Sequence, residues 1–314
     1  MTSDSETGLS RRVFMAAGSA LGALSLAAPA LAQAPTPARR PAGRARWPNG
    51  ARLAIAVSMV VEVDADPPRT LNGPENKKYP DLYGESGVEY AWREAIPRML
   101  DMFDRRRIKM TAMVCGQSAE RHPDLAKRIV ASGHECAAHG KTHSVQFSMP
   151  REQEAQFIRD NVEMLQKTTG QRPLGYNSRG QQRSENTLAI LQEQGFLYHI
   201  DDISRDEPWV AQVGGKPFAV VPYTQHLGDI GYFNNRGSAD LFGKDLKYEF
   251  DALYAEGERR PRLMVVTLHD SIARAARVRM FEEFFAYAQK HQGVWFARCD
   301  QLARWALQNS KSKA

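Results

Sequence analysis

The stretch LAIAVSMVVEV, residues 53–63, is an almost continuous apolar run. Such a run predicts a β-strand that is buried on both faces, because a half-exposed strand would show a polar residue at every second position. Strands of this kind belong to parallel sheets whose two faces are covered by helices. This segment therefore indicates an α/β protein.

The remainder of the chain alternates between helical periodicity and short apolar stretches. A helix at 90–107 precedes a strand at 108–115, and a helix at 122–131 precedes a strand at 135–138. A long amphipathic helix follows at 151–168. Further strands are predicted at 174–178, 196–200, 218–223 and 263–268, and further helices at 186–194, 281–290 and 301–308. This alternation predicts parallel β-α units, and hence a barrel or a doubly wound sheet.

The beginning of the chain has the layout of an export signal. Arg11 and Arg12 are followed by Phe14 and by a short stretch of Ala, Gly and Leu that ends in small residues at 30–32. This layout defines a signal peptide, and the paired arginines favour the twin-arginine pathway. We expect residues 1–32 to engage the twin-arginine export machinery, which would make the mature protein periplasmic or secreted. An uncleaved amphipathic or membrane anchor is the alternative, although the apolar stretch is short for a span.

Composition separates a basic linker from the predicted catalytic domain. Residues 33–46 are rich in Pro, Ala and Arg and predict a flexible spacer. Their four arginines account for most of the formal net charge of +6, so the domain at 47–314 is close to neutral. Its charge therefore gives no reason to expect nucleic acid as a partner. The chain has 3 cysteines without CxxC spacing, which favours buried free thiols over a disulfide.

Titratable residues follow the predicted strands at the points where these strands end. The carboxyl ends of parallel strands meet at one rim, where the reacting groups of α/β folds gather. Glu62 and Asp64 end the first strand, and residues two apart on a strand face the same side. The later strand ends carry His139, His143, Asn177, Arg179, Asp201, Asp202, His269 and Asp270. We expect these side chains to converge on one site.

His139 and His143 form the sharpest local signal. Two imidazoles four residues apart can bind one metal ion, and a nearby carboxylate would supply a third ligand and leave room for water. A divalent ion in such a site lowers the pKa of its water and makes a nucleophile available. From the spacing alone, a hydrogen-bonded structural pair is an equal alternative.

Several motifs occur in a fixed order along the chain. The run GHECAAHGKTHS at 133–144 contains the two histidines. The others are WPNGAR at 47–52, VVEVDAD at 60–66, YGE at 83–85, GYNSRG at 175–180, VPYT at 221–224, LHD at 268–270 and GVWFAR at 293–298. Together they resemble the polysaccharide deacetylase (NodB-homology) family, in its peptidoglycan-deacetylase-like and allantoinase-like branch. The resemblance extends over residues 47–308.

The resemblance implies a distorted (β/α) barrel that binds one divalent metal ion, usually zinc. Asp64, His139 and His143 match the family's metal ligands. Glu62 matches the carboxylate that acts as catalytic base, and His269 matches the general acid. Arg179 lies near the motif that supplies an arginine to orient the base.

Two positions depart from the family pattern. The base position holds Glu62 where the family usually has Asp, so the roles of Glu62, Asp64 and Asp66 as base and ligand stay open. The motif at His269 reads HDSIAR, without the proline and the SGR continuation that are common in this branch. Both departures concern the substrate more than the reaction.

The resemblance implies a metal-dependent hydrolase of non-peptide C–N bonds, with two classes of substrate. One is an N-acetylated sugar or glycan, and the other is a cyclic amide or allantoin-like ring. A non-catalytic carbohydrate-binding relative is the alternative outside enzymes. Tyr223 and His226 lie in a predicted loop that would line the substrate cleft. Relatives in this branch often form homo-oligomers.

Overall fold

The computed structural model describes residues 46–66, 79–235 and 237–310. The predicted signal peptide and almost all of the predicted linker lie outside these residues, so both stay predictions. Within the described ranges, no helix is both long enough and apolar enough to cross a membrane.

Strands and helices alternate through the described residues. The strands are β1 (Leu53–Val61), β2 (Thr111–Val114), β3 (Glu135–Ala138), β4 (Gly175–Tyr176), β5 (Tyr198–His199), β6 (Trp209–Val213), β7 (Lys216–Val220), β8 (Arg262–His269) and β9 (Val294–Ala297). The helices are α1 (Leu82–Tyr90), α2 (Ile96–Arg106), α3 (Gly116–Arg121), α4 (Pro123–Ala131), α5 (Arg151–Thr169), α6 (Thr187–Glu193), α7 (Asp229–Asn234), α8 (Ala239–Glu256), α9 (Ala275–Ala288) and α10 (Cys299–Ser310).

The strands form one curled sheet in the order β6-β7-β5-β4-β3-β2-β1-β8. Neighbours are parallel except for β6, which runs antiparallel to β7. β1 pairs with β9 in its first half and with β2 in its second half. The segment after β7 runs beside β8. Gly228 forms a parallel β-bridge with Thr267, and the Val265 N–H donates a hydrogen bond to Thr224 Oγ1 at 3.0 Å. The predicted distorted (β/α) barrel is confirmed.

β1 lies between β2 and β8 in the sheet, and every one of its residues is buried. The buried first strand predicted from its apolar run is therefore confirmed. β1 ends at Val61, however, and not at residue 63 as the sequence predicts. The carboxylates that follow it consequently lie in a turn, where the alternation of side chains along a strand no longer applies.

The predicted helix at 90–107 corresponds to a π-helical turn at Ala91–Ala95 followed by α2, and α1 precedes this turn, so helical structure begins earlier than predicted. Pro97 stands in the first turn of α2, directly after the π-helical turn. The predicted buried thiols are confirmed, since Cys115, Cys136 and Cys299 are all buried and free.

A buried carboxyl group lies at the amino ends of the central strands. Glu135 Oε2 accepts a hydrogen bond from Thr111 Oγ1 at 2.8 Å and from the Asp300 N–H at 3.0 Å, and Oε1 accepts one from the Tyr198 hydroxyl at 2.9 Å. Burial and the negative charge of Asp300 raise the pKa of Glu135 from 4.5 to about 7, although these hydrogen bonds oppose the shift.

This raised pKa predicts a pH-dependent contribution to stability. Between pH 4.5 and 7 the folded protein holds a proton on Glu135 that the unfolded chain has lost, so the contribution is present below pH 4.5 and is lost as the pH rises to 7. Across this window the free energy of unfolding falls by roughly 3 kcal/mol because of the shifted pKa of Glu135. We expect the Glu135→Gln variant to gain stability relative to the wild type over this window, measured by urea unfolding at several pH values. A constant difference across the window would contradict this prediction.

Candidate metal centre

One carboxylate and two imidazoles meet at the carboxyl ends of β1 and β3. Glu62 Oε1 lies 3.2 Å from His139 Nε2 and 3.0 Å from His143 Nε2. Ligand atoms of the three residues all lie within 4.8 Å of one another, so they could bind a single metal ion. The predicted convergence of Glu62 with the histidine pair is therefore observed in the structure.

Backbone hydrogen bonds hold both histidines in place. The His139 N–H donates to Val114 O at 3.1 Å, just beyond the end of β3, and the His143 N–H donates to Ala65 O at 2.8 Å. Gly140 between them has a φ of +82°, and a Cβ atom there would lie 2.6 Å from Cε1 of Phe157. Glycine is thus the residue that lets the chain turn here, which brings both imidazoles to the same carboxylate.

The Nδ1 atom of each imidazole, which is the ring nitrogen that does not face Glu62, contacts a fixed partner. His139 Nδ1 donates to the Asn177 carbonyl oxygen at 2.8 Å, and His143 Nδ1 lies 2.6 Å from Asp66 Oδ1. Partners of this kind fix the ring orientation and leave the Nε2 lone pair for a metal ion. The three residues and their partners therefore fit a divalent cation.

The electrostatics of the cluster also suit a cation. Burial opposes the negative charge of Glu62, but hydrogen bonds from His139 and His143, together with the charges of His139 and His269, hold its pKa well below its usual range. Burial opposes the positive charge of His143, but hydrogen bonds to Asp66 and Glu62 raise its pKa to about 9. The carboxylates thus favour positive charge at the position between them, which a proton or a metal ion can supply.

Asp270 fixes the backbone that carries Glu62. Its Oδ2 atom accepts hydrogen bonds from the Glu62 N–H and the Val63 N–H, both at 2.8 Å. Burial and the charge of Glu62 raise the pKa of Asp270 to about 7. Asp270 therefore orients the end of β1 that carries Glu62.

His269, the predicted general acid, is buried at the end of β8 and is paired with Asp229. Its Nδ1 atom lies 2.6 Å from Asp229 Oδ1, and its backbone N–H donates to Asp229 Oδ2 at 2.8 Å. Burial opposes protonation of His269, but the Asp229 carboxylate outweighs it and raises the pKa of the imidazole. Sequence reasoning missed Asp229, an isolated carboxylate at the start of the six-residue helix α7.

A buried carboxylate also fixes the loop that holds His139. Asp201 accepts hydrogen bonds from Asn177 Nδ2 at 2.8 Å and from Ser178 Oγ at 2.7 Å. Burial raises the pKa of Asp201 to about 6 despite these hydrogen bonds. Arg179 follows in a short 3-10 turn and is half-buried at the same rim, where its role as the arginine that orients the base stays a prediction.

The structure differs from the prediction at Asp64. Its Oδ2 atom lies 2.7 Å from His122 Nε2, and its Oδ1 atom lies 3.6 Å from Arg121 Nη1. The cause is the turn after β1, in which Asp64 has a φ of 60° and no longer faces the same side as Glu62. The carboxylate between the two imidazoles is therefore Glu62, and Asp64 is held on the other side by His122.

The two predicted substrate-binding residues occupy different environments. Tyr223 is buried in the segment that closes the sheet beside β8. His226 is exposed, and its Nε2 atom lies 3.3 Å from Glu249 Oε2 on α8. Contact with a substrate stays a prediction for both residues.

Carboxylate and imidazole groups at the carboxyl ends of the strands of a curled parallel sheet are typical of the active site of an α/β enzyme. Comparison with known proteins agrees with this. The model of the family described as "Polysaccharide deacetylase" matches residues 86–199. A putative polysaccharide deacetylase of Schizosaccharomyces pombe is 27% identical, with coverage of 87% of this chain and 96% of that protein.

Two solved structures are more similar in sequence. A probable polysaccharide deacetylase from Pseudomonas aeruginosa PAO1 is 31% identical with a TM-score of 0.75, and the match covers 82% of this chain and 92% of that one. An allantoinase is also 31% identical, with a TM-score of 0.76 and coverage of 82% and 91%. The chain belongs to the polysaccharide deacetylase family. It is a hydrolase that acts on carbon–nitrogen bonds other than peptide bonds.

Proposed function

We propose that the protein is a metal-dependent N-deacetylase of an N-acetylated sugar or glycan. The observation that carries this proposal is the Glu62–His139–His143 cluster, in which one carboxylate oxygen faces two Nε2 atoms at 3.0 and 3.2 Å. Two histidines and one carboxylate form the usual protein part of a catalytic zinc site with an open position for water and substrate. The deacetylase relatives support the amide of an acetamido group as the bond that is cut.

The residues divide the chemistry between them. Glu62, His139 and His143 would hold the ion, for which zinc is the first choice. A divalent ion bound there would polarise the amide carbonyl and lower the pKa of water. His269, protonated and held by Asp229, would donate a proton to the leaving nitrogen.

Which residue accepts the proton of the attacking water depends on which carboxylate is the third metal ligand. In the observed arrangement Glu62 would be the third ligand beside the two histidines. If Asp64 instead left His122 and replaced Glu62 on the ion, Glu62 would be the base that the family resemblance implies, with Arg179 orienting it. The two arrangements differ in whether an Asp64→Asn variant loses the metal ion.

Ring opening of a cyclic amide is the second candidate function. It is favoured by the similarity to an allantoinase, which equals the deacetylase in sequence identity at 31%. The same cluster would serve both reactions, since each adds water to an amide carbonyl. The products differ, because deacetylation releases acetate and ring opening releases no fragment.

Export through the twin-arginine pathway belongs to the same proposal. It rests on Arg11, Arg12 and the short apolar stretch after them, all outside the described residues. Delivery to the periplasm or the medium would bring the enzyme to envelope or extracellular glycans. Retention of the Arg11→Lys, Arg12→Lys variant in the cytoplasm would support it.

A direct assay separates the two reactions. The purified protein, loaded with zinc, is incubated with N-acetylglucosamine oligosaccharides in one series and with allantoin and hydantoin in another. We expect acetate release from the oligosaccharides, and loss of this activity on incubation with a chelator. Ring opening without acetate release would favour the second candidate. A zinc-loaded protein that binds the sugars but hydrolyses neither series would instead be a non-catalytic carbohydrate-binding relative.

A further inference from the structure

One buried carboxylate outside the metal cluster joins two loops that carry parts of it. Glu154 lies in the first turn of α5 and is fully buried. Its Oε1 atom accepts a hydrogen bond from Gln146 Nε2 at 2.9 Å, and its Oε2 atom accepts one from Ser184 Oγ at 2.5 Å. Gln146 belongs to the loop between β3 and α5, whereas Ser184 belongs to the loop between β4 and α6. A single side chain therefore holds both loops.

The loop between β3 and α5 carries His143. Gln146 follows His143 by three residues, and its side chain is buried. The amide of Gln146 is fixed at both of its polar atoms, because Nε2 donates to Glu154 and Oε1 accepts a hydrogen bond from the Tyr176 hydroxyl at 2.6 Å. The loop is therefore anchored just after His143, in addition to the hydrogen bond from the His143 N–H to Ala65 O.

The loop between β4 and α6 carries the partner of His139. The carbonyl oxygen that accepts the hydrogen bond from His139 Nδ1 belongs to Asn177, and Tyr176 directly precedes it. The loop is thus held at its beginning through the Tyr176 hydroxyl and near its end through Ser184, which donates to Glu154. The orientation of His139 consequently depends on the same network as the position of His143.

The hydrogen bonds of Glu154 make this link stiff. A third donor, Thr187 Oγ1, contacts Glu154 Oε1, and the same Oγ1 atom accepts a hydrogen bond from the Ser184 N–H at 2.8 Å. Hydrogen bonds to a carboxylate are stronger than those between neutral groups, and a buried polar group that loses its partner is costly. Movement of either loop away from α5 would break such bonds. The network therefore keeps the loops in place without an ion, which lowers the cost of arranging the ligands when one binds.

We propose that Glu154 is a positioning residue of the metal centre. Through Gln146 it fixes the loop of His143. Through Ser184 it fixes the loop whose backbone orients His139. Glu154 thereby raises the affinity of the centre for its ion without touching the ion or the substrate. This inference rests on the proposed metal-dependent function.

The affinity of the full chain for zinc, measured by competition with a chelator in the absence of substrate, tests the proposal. The Glu154→Gln variant keeps the size of the side chain and removes its charge. We expect it to raise the Kd for zinc about tenfold, at the lower end of the effect of outer partners of metal ligands. Combining it with Gln146→Glu places a carboxylate and an amide opposite each other again and should recover most of the affinity.

Two controls separate positioning from a general structural effect. Glu135→Gln is the same replacement of a buried carboxylate, at the amino ends of β2 and β3, and it should leave the Kd for zinc unchanged. Leu165→Ala removes a buried apolar side chain from α5 itself, so it should lower stability to urea and also keep the wild-type Kd. A wild-type Kd in Glu154→Gln, or an equal rise of the Kd in Leu165→Ala, would overturn the positioning role while leaving the metal centre intact.

A wild-type protein that binds no zinc would contradict the proposed function instead. The NMR signals of the His139 and His143 rings then decide the role of Glu154. Shifts of these signals in Glu154→Gln that are absent from Glu135→Gln would support positioning of the two imidazoles. Unchanged ring signals in Glu154→Gln would reject it.

Discussion

The His139→Ala variant is expected to lose its metal ion and to lose at least roughly 10³-fold in kcat/KM. His139 is buried, and its Nε2 atom faces Glu62 while Nδ1 is fixed by Asn177. Removal of this ring takes away one ligand and opens space that water can fill. The measurement is metal content of the purified protein by mass spectrometry, in parallel with the rate of acetate release.

A histidine outside the site provides the matched control. His291 lies beyond the end of α9, and its Nδ1 atom lies 3.1 Å from Tyr287 O. The His291→Ala variant should therefore keep about one equivalent of metal and wild-type activity. Equal metal content in His139→Ala and His291→Ala would mean that the cluster is a hydrogen-bonded structural group and not a metal site.

Variants of the two carboxylates then identify the third ligand. If Glu62 binds the ion, as the observed geometry favours, Glu62→Gln loses metal and Asp64→Asn keeps it, since Asp64 is bound to His122 instead. If Asp64 leaves His122 when the ion binds, Asp64→Asn loses metal. Glu62→Gln would then keep the metal and lose activity through the missing base.

The difference at Asp64 shows where reasoning from sequence reaches its limit. The apolar run correctly predicts a buried strand, and the alternation rule then places residues 62 and 64 on one face. This rule holds only while the strand continues, and β1 ends at Val61. The left-handed turn at Asp64 is set by contacts with Arg121 and His122, far along the chain, so no local pattern reveals it.

The orienting roles of the partners of the site residues were equally hidden from sequence. His139 and His143 stand out by their spacing, and His269 stands out by its place at the end of an apolar strand. Asp229 reaches His269 from a helix forty positions away in the chain. The partner of His139 is a backbone carbonyl, which any residue at position 177 would provide. Sequence patterns thus indicated the candidate catalytic and metal-binding residues. The residues that orient them could not be predicted, because they come together only through the tertiary fold of the curled sheet.

The same distinction applies to the fold. The alternation of strands and helices was sufficient to predict parallel β-α units, because strands buried on both faces are strongly apolar. The edge strand β6 was not predicted, and its residues are largely half-buried, so they lack a continuous apolar run. Helix α8 was also missed, although residues such as Leu246 and Phe250 on it are buried.

Replacement of His269 by glutamine is expected to lower kcat by roughly 10²- to 10⁴-fold without loss of metal, because this range is typical for removal of a general acid. Loss of metal in His269→Gln would instead make this histidine part of the ion's binding set. The pH profile gives a sharper test. Activity that requires protonated His269 is lost as the pH rises through the pKa of the imidazole, and the Asp229 carboxylate raises that pKa.

The Asp229→Asn variant removes the negative charge while it keeps the shape of the side chain. The pKa of His269 should then fall, and the basic limb of the kcat/KM profile should move to lower pH. Below this limb the variant should retain much of its activity, because an amide oxygen can still accept a hydrogen bond from Nδ1. A basic limb at the same pH in Asp229→Asn and the wild type would mean that another group donates the proton, since the Asp229 contact at 2.6 Å is the strongest influence on His269 that opposes its burial.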